Sequence, residues 1–221
     1  MAYLTGVPTA TLVLSAWEPE IATLRRLARA FDPQRLAIGT VGVGAVDAAV
    51  GAAAAIAAAR PARVIFVGTA GAYPRGRATA AIGTVAIAGE LGLVSTAALR
   101  GDGYLPEPLT VRTPIAATLA AALAACAPGK QPAPLLGVAC PIAVTRSATL
   151  GRHVAHATGA ALENLEAFAV ARAAAAAGIA DVAAVLGIAN RVGPRGHQEW
   201  RAHHVAASRA ACRLVWSFVR R

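Results

Sequence analysis

The chain has 221 residues, a formal net charge of +10 and 57% hydrophobic residues. No apolar stretch has the Leu/Ile/Phe density of a membrane-spanning helix, because alanine supplies much of the hydropathy, so no membrane association is expected. Lys130 is the only lysine, the arginines are scattered, and no basic run interleaves with aromatics, so the charge argues for an anionic small molecule rather than nucleic acid.

Thr9 to Ser15 is a β-prone apolar run of strand length. A helix follows it. Pro19 suits a first helical turn, Glu18 and Glu20 favour that end, and Leu24, Leu27 and Phe31 continue an apolar face. Strand-then-helix puts Glu18 and Glu20 at the carboxyl end of a strand, where open α/β sheets bind ligands. Leu36 to Val43 reads as a second strand, and Gly42-Val43-Gly44 turns it into an Ala-rich helix over Ala45 to Arg60, stopped by Pro61. The Gly-x-Gly lacks the third glycine of a dinucleotide fingerprint, since Asp47 stands there, so a close backbone turn is its expected role.

Arg63 to Val67 is a continuous apolar run, as a buried parallel strand requires. It opens into Gly68-Thr69-Ala70-Gly71-Ala72, small residues that let a ligand approach the backbone. Ile82 to Ala88 reads as a strand leading to Glu90, and Leu99 to Pro108 as a long surface loop. Pro114 to Cys126 reads as a helix, and Leu135 to Thr145 as a strand broken at Pro141. Glu163 and Glu166 stand three residues apart at the start of an Ala-rich helix that ends near Gly178. A pair of N-terminal capping carboxylates is one reading of that spacing; a ligand site is the other. Asp181 to Ala189 is another buried strand, ending in Asn190, and Gln198 to Arg221 is a helix with Trp200, Val205, Leu214, Val215 and Phe218 available to pack.

Strands and helices alternate without an internal repeat or linker. The expectation is one domain over residues 1–221, a three-layer α/β/α sandwich with a mixed, mostly parallel sheet. Glu20, Thr69, Glu90, Glu166 and Asn190 all fall at strand ends or helix starts, the convergence a binding cleft needs. Cys126, Cys140 and Cys212 have no paired spacing and fit reduced, buried thiols. The start, Met1 to Thr5, has no basic region ahead of an apolar one, so a cytoplasmic protein is expected. The five histidines lack metal-ligand spacing; neither a metal nor a cofactor is expected. Arg146, Arg191 and Arg195 could approach an anionic substrate such as a benzoate carboxylate; the solvated surface is the favoured reading for each singly.

Taken in order, six pieces carry a resemblance: Ala16-x-x-x-Glu20, Gly42-x-Gly44, Gly68-Thr69-Ala70-Gly71, Gly83-Thr84-Val85 leading to Glu90, Glu163-Asn164-Leu165-Glu166, and Gly187-Ile188-Ala189-Asn190. Together they resemble the purine nucleoside phosphorylase / methylthioadenosine–adenosylhomocysteine nucleosidase superfamily, and within it the futalosine hydrolases of menaquinone biosynthesis. The resemblance implies cleavage of an N-ribosyl bond in a purine nucleoside. Glu20 would help activate the attacking water, and Glu166 would hold the ribose hydroxyls. Thr69, Ala70 and Gly71 would lie near the sugar and the nucleophile, with Asn164 and Leu165 beside Glu166. Asn190 would address the purine. It also implies a homodimer or larger homo-oligomer.

The residue types suit the chemistry. Breaking an N-glycosidic bond builds positive charge on the ribose, which carboxylates stabilise while polarising a water. An Asn can donate to a purine O6 and accept from a protonated N7, which argues for a 6-oxopurine base. Phosphorylases of the superfamily place a Gly- and Arg-containing loop where Ser15 to Glu20 stands here. Two carboxylates there would repel phosphate, so water is the expected nucleophile. A phosphate-dependent phosphorylase and a non-catalytic nucleoside-binding homologue are the alternatives; Leu186 and Ala189, where relatives carry Arg and Ser, motivate the second.

Overall fold

In a computed structural model, residues 10–74 and 80–221 are described. They form eight strands and seven helices: β1 Thr11–Ser15, α1 Glu18–Leu27, β2 Leu36–Thr40, α2 Ala45–Ala59, β3 Arg63–Ala72, β4 Val85–Val94, α3 Thr96–Arg100, β5 Arg112–Pro114, α4 Ala117–Ala124, β6 Leu135–Pro141, α5 Ala148–Thr158, β7 Leu162–Glu163, α6 Ala167–Ala176, β8 Val182–Arg191 and α7 Gly196–Val219. The strands make one mixed sheet in the order β2-β1-β3-β7-β6-β4-β5, with β8 pairing β3 on one side and β4 on the other. Five of its eight pairings are parallel. The expected α/β/α architecture is present, and β3, β8, β4, β6 and β7 additionally pair in a closed ring.

Right-handed crossovers explain the layers. The chain steps from β1 out to β2 and back past β1 to β3, so α1 and α2 fall on opposite faces. Helix α1 packs with the long α7, and α2 with α6. Alanines make the second pair close: Ala48, Ala52, Ala59, Ala167, Ala171 and Ala174 are all buried. Leu12, Leu14, Ile65, Phe66, Val67, Val185 and Leu186 fill the sheet's interior at 0–1% exposure. Burying each large side chain of this kind contributes roughly 1.5–3 kcal/mol.

Several expected boundaries shift. Thr9 lies outside the described residues. The strand expected at Ile82 starts at Val85 and runs to Val94, so Glu90 sits within it. There Glu90 is half exposed and bonded to Arg112 at 2.9 and 3.0 Å. It does not join the other polar groups, because antiparallel pairing with β5 presents Arg112 to it. Pro114 closes strand β5 rather than opening a helix. The strand from Leu135 stops at Pro141, as the break there suggested. Helix α5 was not legible at all; Ser147 caps it by accepting from Leu150 N–H. No helix among the described residues is long and apolar enough to cross a membrane.

Candidate active site

The carboxyl ends of β1, β3 and β8, with β7 and the starts of α1, α6 and α7, enclose a cavity of about 790 Å³. That lies within the range of small-molecule sites. Glu20, Thr69, Ala70, Gly71, Asn164, Leu165, Glu166 and Asn190 all line it. These eight residues therefore lie on one cavity, although 170 positions separate the first from the last, while Glu90 does not line it.

Glu20 is 5% exposed and held from three directions. Its Oε1 accepts the Thr69 hydroxyl at 2.6 Å and the Thr69 backbone N–H at 3.1 Å; its Oε2 accepts Ser15 Oγ at 3.3 Å. Burial pushes its pKa from 4.5 up to about 7; the Thr69 hydroxyl opposes the rise and the charge of Glu166 adds to it. Thr69 is itself tied down. Its hydroxyl accepts the Trp200 indole N–H at 3.1 Å, and its carbonyl accepts Asn164 Nδ2 at 3.0 Å.

Glu166, 6% exposed, points Oε1 at the backbone N–H of Gly44, 2.9 Å away. This explains the Gly-x-Gly turn. Gly44 has φ +88°, a left-handed conformation that side chains resist, and in it the N–H ahead of α2 faces across to α6. Burial raises the Glu166 pKa, and the Gly44 hydrogen bond counteracts it.

The capping reading of the Glu163–Glu166 pair needs correction. Neither carboxylate caps α6. Asn164 does, its Oδ1 accepting from Glu166 N–H at 3.0 Å and Ala167 N–H at 2.8 Å. With Nδ2 on Thr69, the Asn164 side chain bridges the segments that carry Glu20's partner and Glu166. Glu163 lies in β7, where Oε1 accepts Thr145 N–H at 2.9 Å and Oε2 accepts the Tyr73 hydroxyl at 2.7 Å. Burial, and then the Glu163 charge, raise the Tyr73 pKa, so the phenol keeps its proton and remains a donor.

Asn190 reaches the cavity through a register shift. Ala70 pairs with Ile188 but Gly71 with Asn190, leaving Ala189 as a bulge. A bulge redirects the side chains beyond it. Asn190 Nδ2 donates to the Arg191 carbonyl at 3.1 Å, and a Cβ on Gly71 would stand 2.9 Å from that nitrogen. Gly71 is thus required for Asn190 to lie against the strand. Leu186 and Ala189 are fully buried and do not line the cavity.

Sequence reasoning missed part of the wall. Trp17, Val43, Val144, Arg146, His197 and Trp200 also line the cavity. Trp200 stacks on His204 at 4.3 Å between centroids and on Trp17 and His197 at 6.1 Å each. Trp17 follows Ala16 in the turn that leads to Glu20, the one local signal that could have marked it. Arg146 is exposed, as its surface assignment expected, and it also lines the cavity, with no ion-pair partner among the described residues. Glu18 leaves the site and pairs with Arg25 at 2.9 Å. Arg191 and Arg195 are exposed. The three cysteines are unpaired and buried, and among the described residues no group of His, Cys, Asp and Glu could hold a metal.

The sequence profile of the phosphorylase superfamily matches residues 32–220. The chain belongs to the phosphorylase superfamily. No curated protein sequence matches it. Among solved structures, a 5'-methylthioadenosine/S-adenosylhomocysteine nucleosidase from Neisseria meningitidis, in complex with methylthio-immucillin-A, superposes with a TM-score of 0.83 at 18% identity, over 96% of this chain and 98% of that one. Futalosine hydrolase from Helicobacter pylori gives 0.84 at 14% identity, over 96% and 97%. A nucleosidase of the first kind from Colwellia psychrerythraea, in complex with adenine, gives 0.82 at 17%, over 98% and 96%. This member of the phosphorylase superfamily thus shares the nucleosidase fold, at identities that speak for the fold alone.

Proposed function

We propose that this superfamily member hydrolyses the N-glycosidic bond of a purine nucleoside, one with a 6-oxopurine base of the futalosine kind, and releases the free base. Glu20 takes the proton from the attacking water. Glu166 accepts from the ribose hydroxyls, and Asn190 addresses the base. Thr69, Ala70, Gly71 and Leu165 form the wall beside the sugar, and Asn164 holds Thr69 and Glu166 in place. One observation carries the reading. Two buried carboxylates, Glu20 and Glu166, share a cavity, and Glu20 titrates near neutral pH, where a general base is most effective. Positive charge developing on the ribose is stabilised by both.

Water is favoured over phosphate by the lining. It holds three carboxylates and, among the described residues, a single guanidinium, Arg146. A phosphate anion would meet more repulsion than attraction there. Phosphorolysis is the second reading, favoured by the unpaired Arg146.

The deciding experiment is chromatography of free base released from inosine, futalosine and methylthioadenosine, with and without phosphate. Phosphate-independent release of hypoxanthine supports the proposal, and strict phosphate dependence supports phosphorolysis. Nucleoside binding without release under any condition would leave a binding protein. In the same assay Asn190→Asp is expected to shift preference from 6-oxopurine toward 6-aminopurine nucleosides by at least about tenfold, since Asp can protonate N7 but has no amide N–H for O6. An unchanged preference would remove Asn190 from base recognition.

A homodimer or larger assembly is part of the same proposal. Val43, Val46, Val50, Ile142 and Val144 are 57–74% exposed, and two of them, Val43 and Val144, also line the cavity. Exposed apolar side chains concentrated near a site mark an interaction surface. Light scattering is expected to give at least twice the single-chain mass; the single-chain mass would refute this part.

A further inference from the structure

We propose that Trp200 is a positioning residue for the proposed reaction: its indole N–H fixes the rotation of the Thr69 hydroxyl, which in turn dictates which oxygen of Glu20 receives the proton from water. The inference rests on the hydrolytic reading above and adds to it a residue that no motif in the chain marks.

An indole N–H donates and never accepts, and a threonine hydroxyl has one proton to give. Trp200 Nε1 lies 3.1 Å from Thr69 Oγ1, so it occupies a lone pair of that oxygen. The hydroxyl proton must then point elsewhere. The partner in reach is Glu20 Oε1, 2.6 Å away. The same Oε1 also accepts the Thr69 backbone N–H at 3.1 Å. Oε1 is therefore saturated by two donors from one residue. Oε2 has only Ser15 Oγ, at 3.3 Å. The proton leaving water is taken by Oε2, while Oε1 stays an acceptor throughout. Each hydrogen bond in the series polarises the next, so the indole strengthens the Thr69–Glu20 bond as well as aiming it.

The ring is held for this task. Trp200 is half-buried in the second turn of α7, stacked on His204 at 15° between planes and on His197 at 19°. Its stacking partners restrain the ring, and the hydrogen bond restrains the indole edge. A tryptophan serving only as an apolar wall would not need its nitrogen directed at a buried hydroxyl.

The test is Trp200→Phe, which keeps an aromatic ring in the stack and removes the N–H. Base release is measured as kcat and KM across pH, and the titration of the Glu20 carboxyl is followed by ¹³C NMR in the same proteins. Expected are a several-fold lower kcat with KM within about twofold, and a Glu20 midpoint moved upward by roughly half a pH unit, because a hydrogen bond that favours the charged form has weakened. Thr69→Val is expected to move the midpoint in the same direction, and adding Trp200→Phe to it to change nothing further, since both act through one hydroxyl. A raised KM with an unmoved midpoint would make Trp200 a wall and overturn the proposal while leaving the hydrolase reading intact. If the parent protein releases no base, that reading fails, and the NMR midpoint alone decides the relay.

Discussion

Glu20→Gln is expected to fold, to gain stability above neutral pH, and to lose about 10²- to 10⁴-fold in kcat, the range for removal of a general base. The two effects share one cause. In the folded protein burial raises Glu20 from 4.5 to about 7. The folded state therefore holds this proton more tightly than the unfolded chain does. The proton's stabilising contribution is complete below pH 4.5 and is lost as pH rises through about 7, a difference of about 3 kcal/mol. Gln carries no charge to desolvate, and its Oε1 can still accept the Thr69 hydroxyl and N–H. At pH 8 the variant is expected to exceed the parent by about 2–3 kcal/mol, and near pH 4 to match it. Urea unfolding at both pH values, with base release alongside, checks this. A gain that appears equally at both pH values would mean that Glu20 is not the desolvated group, and retained activity would mean that it is not the base.

Glu166→Gln is expected to act on a different quantity. A carboxylate that accepts from two sugar hydroxyls makes two charge-assisted hydrogen bonds, each about 1.5–3 kcal/mol, so kcat/KM should fall about 10²-fold or more. A second consequence separates this from a general loss of structure. The Glu166 charge is one of the causes that raise the Glu20 pKa. Removing it should move the acidic limb of the pH–rate profile to lower pH, opposite in sign to the shift expected for Trp200→Phe. The backbone N–H of Gly44 keeps an acceptor in the Gln side chain, so α2 and α6 should stay docked. A limb that stays put, or moves upward, would show that the two carboxylates do not interact across the cavity.

The opposed shifts follow from how the site is wired. Glu20 is stabilised as an anion only through Thr69 and Ser15, and destabilised by burial and by Glu166. Asn164 links both halves, since it donates to the Thr69 carbonyl and caps the helix that Glu166 precedes. The cavity thus brings two acids close while giving each its own set of donors: Thr69 and Ser15 for one, Gly44 for the other.

The alternation of apolar runs with Ala-rich helical stretches was enough to read an α/β/α sandwich, because buried strands and amphipathic helices have distinct periods that need no partner to be recognised. Ordered small-residue turns and isolated carboxylates were enough to mark Glu20, Thr69, Glu166 and Asn190 as candidates, because ligand-facing groups fall at the ends of strands and the starts of helices; Asn164 came from the family resemblance alone. What the linear chain left undecided were facts of pairing. Glu90 looked like a strand-end carboxylate, but β5 supplies Arg112 to it. Glu163 looked equivalent to Glu166, yet Tyr73 and Thr145 hold it in the wall. Asn190 faces the cavity because Ala189 bulges, and Trp200 meets Thr69 across 131 positions because α7 packs along β3 and β8. Local sequence determines which elements form and where polar groups may stand; which donor meets which acceptor depends on strand register and helix docking, and those are decided by the packing of the whole core.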